Sequence, residues 1–395
     1  MSLSVIVKDF LWWLIKENRL VNAAYLSWGK RAFPKINHLG FPKDTPTTEK
    51  DDYFHAKPKS FPAIKGYTSG TTNKPLTVYR SIKSILLEEY MIKSVLKQYN
   101  VPLRPRIAVL RGDHISDSDN TDKFSMKLPF TGRLILSSFH LGPETVDAYF
   151  AKLEQHKPDL IMAYPSSISL LAQLAEQRQW RPNWPISCVL TSSETFKQDK
   201  QALVRKIFGN VCDHYGQAER IAALQTCKEG KYHVREDYSL VEFIQDEYGF
   251  KIVGSNVYNK AMPMVRYDTG DYVSGIELSK PCACGLTSPY VEEILGRDDD
   301  YIILEDGRQI GRMDVAFKGI DDLVEAQLEQ ATLNKVIVRY VAYPNVEHKT
   351  LTQVIENSLR ERLGSSIQYD FIALTELPRT QRGKFKSVIR NPDIG

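Results

Sequence analysis

The chain has 395 residues, of which 42% are hydrophobic and 25% are charged. This composition is ordinary for a globular protein with a proper core, and the length predicts two or three domains. The net charge of +4 comes from 52 basic and 48 acidic residues. Because basic residues cluster only near the C-terminus, nucleic acid is not expected as a partner.

The N-terminal residues 10–15 form the apolar run Phe-Leu-Trp-Trp-Leu-Ile. This run is too short to span a bilayer, which needs about 20 residues, and it lacks a small-residue cleavage site. We expect a helix packed on the main body, with a peripheral membrane contact as the alternative. The sequence therefore predicts a cytoplasmic protein without a transmembrane segment, and it does not set the oligomeric state.

Short apolar runs alternate with helical patterns between residues 81 and 190. A helix is predicted over 81–97, with Ser81 as its N-cap. Strands are predicted at 106–110, 133–139, 159–163 and 186–190, with helices at 145–155 and after Pro165. This alternation predicts an α/β domain with a mainly parallel sheet, whose ligands would bind beyond the carboxyl ends of the strands.

The pattern changes near Gly296. The predicted elements there are a hairpin over 301–310, a helix-like stretch to about residue 330, a strand at 336–341, a helix at 350–363 and a last strand at 367–374. We therefore predict a large N-terminal α/β domain, residues 1–296, followed by a small C-terminal α+β domain, residues 297–395.

A loop rich in hydroxyl groups lies at residues 67–75, Tyr-Thr-Ser-Gly-Thr-Thr-Asn-Lys-Pro. Hydroxyls and backbone N–H groups in such a loop can cradle an anion, and the lysine adds a charge suited to phosphate. It is not a Walker A loop, because no Gly-Lys pair is followed by Ser or Thr. Taken alone, the same residues are also typical of an ordinary turn.

Further motifs follow this loop in the order 191–194 (Thr-Ser-Ser-Glu), 213–219 (Asp-His-Tyr-Gly-Gln-Ala-Glu), 266–271 (Arg-Tyr-Asp-Thr-Gly-Asp), 296–300 (Gly-Arg-Asp-Asp-Asp) and 378–386. An aromatic ring beside a glycine suits a flat base, a glutamate suits Mg²⁺, and an aspartate can accept both hydroxyls of a ribose. Individually, each motif is weak evidence, because charged turns, linkers and basic tails look the same.

In this order the motifs resemble those of the adenylate-forming (acyl-CoA ligase) superfamily. Within it, the chain looks like the phenylacetate–CoA ligase branch, and most like the CapK-like proteins of capsular polysaccharide biosynthesis. The shared pattern spans residues from about 65 to 390. The resemblance implies an ATP-dependent carboxylate ligase that forms an acyl-adenylate, releases pyrophosphate and transfers the acyl group to CoA.

Two alternatives stay open. The segment 304–312 is unlike the glycine-rich loop that meets CoA in typical ligases, so the acceptor of the acyl group could instead be an amine, giving an amide in polysaccharide or natural-product biosynthesis. A non-catalytic nucleotide-binding relative is less favoured, because it would not need a mobile lysine.

The resemblance also implies roles for the two domains and for individual residues. The domain 1–296 would bind ATP and the acyl group, and the domain 297–395 would be a mobile lid that carries the catalytic lysine. The ATP phosphates would be enclosed by Ser69, Gly70, Thr71, Thr72 and Lys74. The adenine pocket would be lined by Glu194, Tyr215 and Gly216, and Mg²⁺ would be held by Glu219 with Thr72. Asp271 would hold the ribose hydroxyls, Arg297 would reach ribose or phosphate, Asp299 would be the hinge, and Lys384 would bridge the substrate carboxylate and the α-phosphate. Near the acyl group the resemblance would place some of His140, Tyr164, Pro165 and Ser166, with simple packing as the alternative.

A set of metal-binding residue types stands apart from these motifs. Cys227 and His233 are six positions apart, and Cys282 and Cys284 form a Cys-Ala-Cys-Gly run. Three thiolates and one imidazole suit a structural zinc ion, although Cys-x-Cys is tighter than the usual spacing. The alternative is four unrelated residues, two of them buried cysteines. Some relatives in the branch carry such a zinc, which implies that it would tie loop 227–233 to loop 281–285. The five cysteines are otherwise too sparse for a disulfide framework, and Cys188 and Cys212 are expected in the core.

Overall fold

The structure is a computed structural model, and it describes residues 19–36, 45–68, 76–111, 124–138, 140–194, 196, 198–246, 249–296, 301–311, 313–317, 320, 322–375, 377, 388–391 and 394. The chain divides into two compact units. The first contains residues Met1–Gly66 and Tyr79–Gly296, and the second contains Tyr67–Val78 and Arg297–Gly395. None of the helices within the described ranges has the length and apolar character needed to cross a membrane.

Helices and strands alternate along most of the first unit. Its helices are α1 (Arg19–Ala32), α2 (Ile82–Gln98), α3 (Val146–His156), α4 (Pro165–Gln177) and α5 (Gln198–Phe208). A two-stranded sheet is formed by β1 (Ala63–Tyr67) and β2 (Thr77–Ser81). The remaining strands up to residue 296 are β3 (Ile107–Arg111), β4 (Ser125–Lys127), β5 (Leu134–Ser137), β6 (Leu160–Ala163), β7 (Cys188–Ser192), β8 (Val211–Gly216), β9 (Ala223–Thr226), β10 (Tyr232–Val234), β11 (Leu240–Asp246), β12 (Gly249–Ser255), β13 (Tyr267–Ser274), β14 (Tyr290–Val291) and β15 (Glu293–Gly296).

The main sheet joins nine of the described strands in the order β14-β10-β9-β8-β7-β6-β3-β5-β4. Its centre, β5-β3-β6-β7-β8, is parallel, and the strands outside this centre pair antiparallel. The chain moves from β3 to β5 in one direction and from β6 through β7 to β8 in the other. The strand order therefore reverses between β3 and β6, which is where open α/β sheets form a ligand crevice.

Both faces of the parallel centre are covered by helices. On one face Val95 and Leu96 of α2 pack with Val109, Ile135 and Leu190. Burial on both sides explains why these strands appear in the sequence as continuous apolar runs rather than alternating ones.

The opposite face is covered by α3, α4 and α5. Tyr149, Ile168 and Val204 from these helices pack with Leu110 and Ala163 of the sheet. Neighbouring residues of a strand point to opposite faces, so Val109 and Leu110 lie in different cores. The predicted α/β fold with a mainly parallel central sheet is confirmed.

A second sheet of the first unit has the order β11-β12-β13-β15 and is antiparallel. Its residues Val241, Ile252 and Val273 share an apolar cluster with Leu224 of β9 and Tyr232 of β10. This packing holds β13 against the antiparallel side of the main sheet, next to β8.

The second unit is a compact α+β structure. Its elements are β16 (Tyr301–Ile303), β17 (Gln309–Gly311), β18 (Leu323–Thr332), β19 (Lys335–Ala342), α6 (His348–Leu363), β20 (Gln368–Ala373) and β21 (Val388–Arg390). The described strands form a hairpin, β16-β17, and a sheet of order β20-β19-β18-β21. Leu351, Ile355 and Leu359 of α6 pack on Leu328 and Val338 of that sheet.

The predicted helix-like stretch before residue 330 is wrong. Residues Met313–Phe317 form one short 3-10 helix, and Leu323–Thr332 is the longest strand of its sheet. Its Glu-Ala-Gln-Leu composition favours helix, but pairing with β19 and β21 overrides such a weak preference. The side-chain amide of buried Gln330 pairs with the backbone of Ile303, accepting from its N–H at 3.0 Å. The strand β21 also follows the one predicted to be last.

Candidate functional site

A hydrogen bond between Tyr215 and Asp271 joins the main sheet of the first unit to its four-stranded antiparallel sheet. Tyr215 lies at the carboxyl end of β8, and its phenol donates to Oδ2 of Asp271 on β13 at 2.8 Å. Burial, followed by the charge of Asp271, raises the pKa of Tyr215 well above its usual 10.0. The phenol therefore stays protonated and orients the carboxylate. Two of the predicted nucleotide residues, distant in sequence, are in direct contact.

The turn Thr269-Gly270 lies between two aspartates, Asp268 and Asp271, whose side chains contact different partners. Asp268 pairs with Nζ of Lys251 at 2.7 Å and accepts from the N–H of Gly270 at 2.9 Å. Gly270 has a φ of +72°, a conformation that other residues rarely adopt. The N–H of Asp271 donates to Oγ1 of Thr269 at 3.0 Å, which leaves the carboxylate of Asp271 directed to Tyr215.

Glu219 also contacts the strand β13. The phenol of Tyr267, which begins β13, donates to Oε1 of Glu219 at 3.3 Å. The amide of Asn256 donates to the backbone carbonyl of Glu219 at 3.4 Å. Tyr215 and Glu219 are thus each hydrogen-bonded to a residue of β13. A carboxylate in this position fits the oxygen ligands that Mg²⁺ prefers.

Glu194 follows β7 and contacts the start of a helix. Its Oε2 accepts a hydrogen bond of 2.8 Å from the N–H of Ser166, in the first turn of α4. Tyr164, at the N-cap position just before α4, makes no side-chain capping hydrogen bond. A negative charge at a helix N-terminus is favourable because the first N–H groups have no partner within the helix. The predicted role of Glu194 in an adenine pocket stays a prediction.

A cluster of charged residues, which the sequence did not indicate, contacts the 213–219 motif through His214. Glu88 of α2 accepts a hydrogen bond from Tyr238 at 2.5 Å and lies 3.6 Å from His214 and 4.0 Å from Arg220. Burial raises the pKa of Glu88, but hydrogen bonds and the charges of His214 and Arg220 outweigh it and hold the pKa at about 2. The ionised Glu88 fixes Arg220, which directly follows Glu219.

The carboxyl ends of the parallel strands carry a row of polar side chains. Arg111 ends β3 and is in register with Ser137 of β5, and Ser192 of β7 is in register with His214 of β8. Tyr164 directly follows β6, between Arg111 and Ser192. Arg111 was not predicted as a site residue. The available signal was a charged residue ending the buried run 107–110.

Several predicted site residues lie outside the described part of the chain: Ser69, Gly70, Thr71, Thr72, Lys74, Arg297, Asp299 and Lys384. Thr68, near the start of the predicted phosphate loop, and Leu76, just after its end, are described. The N–H of Thr68 donates to the carbonyl of Leu76 at 3.0 Å, and the N–H of Leu76 donates to Oγ1 of Thr68, also at 3.0 Å.

The four predicted metal ligands come together. The side-chain ligand atoms of Cys227, His233, Cys282 and Cys284 all lie within 4.8 Å of one another. The sulfur atoms of Cys227 and Cys282 are 4.0 Å apart, and Sγ of Cys284 is 3.5 Å from Nε2 of His233. Ligands at zinc–sulfur distance in a tetrahedron are about 3.8 Å apart, so the spacing fits one metal ion.

Backbone turns position the thiols. The N–H of Gly230 donates to the carbonyl of Cys227 at 2.9 Å, and the N–H of Gly285 donates to that of Cys282 at the same distance. Both glycines have a positive φ, +77° and +88°. Each turn therefore closes three residues after a cysteine, at a residue whose backbone conformation favours glycine.

The tautomer of His233 also fits a metal ligand. Nδ1 of His233 lies 3.2 Å from the carbonyl oxygen of Ser288, an atom that can only accept, so this nitrogen carries the proton and Nε2 faces the sulfurs. Burial lowers the pKa of His233, and burial raises the pKa of Cys227 to about 12. A bound cation would offset the cost of ionising such buried thiols.

Comparison with known proteins gives a local and a more extended match. Residues 302–391 match the family described as the CapK C-terminal domain. The phenylacetate-coenzyme A ligase of Thermus thermophilus is 25% identical over 277 residues, which is 60% of this chain. The aligned region spans 61% of that ligase. The predicted resemblance is confirmed.

Solved structures of ligases are similar to this chain. A 2-hydroxyisobutyryl-CoA ligase, in complex with 2-HIB-AMP and CoA in the thioesterification state, is similar with a TM-score of 0.51 and 16% identity, covering 98% of this chain and 89% of that one. An open conformation of such a ligase, in complex with the same two ligands, has a TM-score of 0.44 and 16% identity, with 94% and 92% covered. The first of these two structures, whose TM-score exceeds 0.5, shows that the chain has the fold of the adenylate-forming ligases.

Proposed function

We propose that the protein is an ATP-dependent, AMP-forming acid ligase. In the first step a substrate carboxylate attacks the α-phosphorus of ATP, giving an acyl-adenylate and pyrophosphate. In the second step the thiol of CoA attacks the acyl carbon, giving an acyl-CoA thioester and AMP. The relationship to a phenylacetate-coenzyme A ligase supports this reaction class.

The observation that carries the proposal is the contact between Tyr215 and Asp271. It lies at the carboxyl end of β8. Open α/β sheets bind their ligands just beyond the carboxyl ends of the parallel strands. In the proposed complex the aromatic ring faces the adenine, and the carboxylate of Asp271 accepts the ribose hydroxyls. Glu219, held against the same strand, would bind Mg²⁺ together with the ATP phosphates.

The first step requires an anion to attack an anion, so positive charge has to be held around the α-phosphate. We assign this task to Mg²⁺, to Lys384, and to the phosphate loop with Lys74. Lys384 would bridge the substrate carboxylate and the α-phosphate, which brings the reacting atoms into line. Arg297 would contact ribose or phosphate, and Asp299 would act as the hinge for a C-terminal domain that moves between the steps.

A structural zinc ion is part of the proposal. The ligands would be Cys227, His233, Cys282 and Cys284, whose atoms are close enough and whose chemistry suits zinc. With four protein ligands no position stays open for a substrate, so the ion would stabilise the fold and take no part in the reaction. It would tie the β9–β10 turn to the segment before β14, an edge strand of the main sheet. We place the enzyme in the cytoplasm, where ATP and CoA are supplied.

Carboxylate-dependent exchange between ATP and labelled pyrophosphate tests the first step. The panel should contain aryl, alkyl and amino acids, and the accepted acid should then be offered CoA or amines. Exchange followed by thioester formation supports the proposal. Exchange followed only by amide formation would assign the alternative acceptor, an amine. The absence of exchange with every acid, in protein shown to be folded, would contradict it.

A further inference from the structure

A positively charged side chain stands at the point where the strand order of the main sheet reverses. Arg111 is the last residue of β3, and Tyr164 directly follows the adjacent strand β6. The N–H of Tyr164 donates to the carbonyl of Leu110 at 3.3 Å, so the two strand ends lie side by side. Because β3 and β6 connect in opposite directions, this is the crevice in which a ligand is expected.

The guanidinium of Arg111 has a fixed place in this crevice. One of its terminal nitrogens donates to Oγ of Ser192, at the end of β7, at 3.0 Å. Its carbon Cζ lies 5.6 Å from the ring centre of Tyr164, a distance typical of a cation–π contact. A guanidinium held by two neighbours loses less freedom when it binds a ligand, and it can offer paired N–H groups to one anion.

The crevice lies within reach of an acyl-adenylate. Three strand spacings separate β8, which carries Tyr215, from β3, which carries Arg111. Neighbouring strands are about 4.8 Å apart, so the two strand ends are roughly 14 Å apart. A nucleotide at Tyr215 and Asp271 would therefore direct an acyl group of moderate length along the row of strand ends towards Arg111.

We propose that Arg111 binds a second anionic group on the acid substrate. The preferred acid would carry its reactive carboxylate at one end and a carboxylate or phosphonate-like group at the other. This inference rests on the proposed ligase function, and it names the class of acid. Ser192 and Tyr164 would hold the guanidinium in position, and the ligand would bind through charge-assisted hydrogen bonds.

Matched pairs of acids test this inference in the exchange assay. Each pair has the same length and differs only at the far end: hexanoate with adipate, and 4-methylphenylacetate with 4-carboxyphenylacetate. A phosphonocarboxylate of equal length separates a requirement for carboxylate from one for any anion. We expect the wild type to have a higher kcat/KM for the doubly charged member of each pair.

The variant Arg111→Gln should lower this preference about 10- to 100-fold, as the loss of hydrogen bonds between charged groups does. The loss should appear mainly in KM for the doubly charged acid. Arg111→Lys should keep part of the preference, and Ser192→Ala should weaken it less. The matched control is Arg106→Gln, at the amino end of the same strand, where Arg106 pairs with Asp159 at 2.9 Å and is 52% exposed.

The experiment distinguishes failure of the Arg111 assignment from failure of the proposed ligase function. A wild type that prefers the singly charged acids, or an Arg111→Gln variant that raises KM for ATP equally with every acid, would overturn the assignment of Arg111 while the ligase function stands. An unchanged preference in folded Arg111→Gln would do the same. If Arg111→Gln does not fold, the preference of the wild type and its change in Ser192→Ala decide. No exchange with any acid would overturn the ligase function, and this inference with it.

Discussion

Tyr215 and Asp271 are 56 positions apart in the chain, and the phenol of one donates a 2.8 Å hydrogen bond to the carboxylate of the other. The contact connects the parallel sheet to the antiparallel one. It depends on the Thr-Gly turn of β13, which leaves Asp268 paired with Lys251 and turns Asp271 towards the main sheet. The two aspartates of one turn should therefore differ in their effect on nucleotide binding.

Asp271→Asn should weaken ATP binding about 10- to 100-fold, because it removes a charged acceptor from the proposed ribose site. Asp268→Asn is the matched control and should change the affinity less than about threefold, since Asp268 faces Lys251. Titration calorimetry with Mg²⁺-ATP measures both. Equal losses in the two variants would argue against a specific role for Asp271.

Lys384→Ala should abolish carboxylate-dependent pyrophosphate exchange and leave the thermal unfolding temperature unchanged. The physical reason is the loss of the positive charge proposed to lie between the substrate carboxylate and the α-phosphate. Lys386→Ala, two residues further along the same basic segment, is the control and should keep exchange. Undiminished exchange in Lys384→Ala would refute the role of this lysine.

Protein purified without chelator should contain roughly one zinc ion per chain, because the four ligands form a closed set. Cys282→Ser and Cys284→Ser should lose most of the metal and unfold at lower temperature. Cys188→Ala, at a fully buried cysteine of the core outside the cluster, should keep it. Elemental analysis gives the stoichiometry, and a value near zero in the wild type would exclude the zinc site.

Asp213 should make the stability of the protein depend on pH. Burial raises its pKa from 3.8 to about 6, against the lowering effect of hydrogen bonds from Thr191 and Tyr232. A carboxyl group with a raised pKa in the folded state contributes stability that is fully present below about pH 4 and is lost as the pH rises through about 6. The loss should approach about 3 kcal/mol, two pKa units at 1.36 kcal/mol each.

Urea unfolding at pH 4, 5, 6 and 7 measures this effect. Asp213→Asn should remove it, so the stability of the variant relative to the wild type should increase by about 3 kcal/mol between pH 4 and 7. Asp147→Asn is the control, because the side chain of Asp147 is 69% exposed. The free energy of unfolding of this variant should change with pH in the same way as that of the wild type. If the free energy of unfolding of Asp213→Asn also changed with pH as in the wild type, the raised pKa of Asp213 would be contradicted.

Sequence patterns identified much of the fold because continuous apolar runs are typical of strands buried on both faces. They failed at Leu323–Thr332, where helix-favouring residues form a strand. That strand is specified by partners far along the chain, β19 and β21, and by the pairing of Gln330 with Ile303. No local pattern contains this information.

The candidate site was also partly predictable. The order of the motifs indicated Tyr215, Glu219 and Asp271, and the set of three cysteines and one histidine indicated the metal cluster. Arg111 belongs to no motif, and its importance depends on where β3 lies relative to β6. Ser288, which fixes the proton on His233, is likewise identified only by its contact.

The row of polar residues along the strand ends has a consequence for how such an enzyme could diversify. Arg111, Tyr164 and Ser192 each stand just where a strand leaves its core, so exchanging one of them would leave the packed interior in place. Single substitutions along this row could retune the acid that the proposed ligase accepts, while the nucleotide would keep its proposed contacts with Tyr215 and Asp271. Selectivity and scaffold could then evolve almost independently.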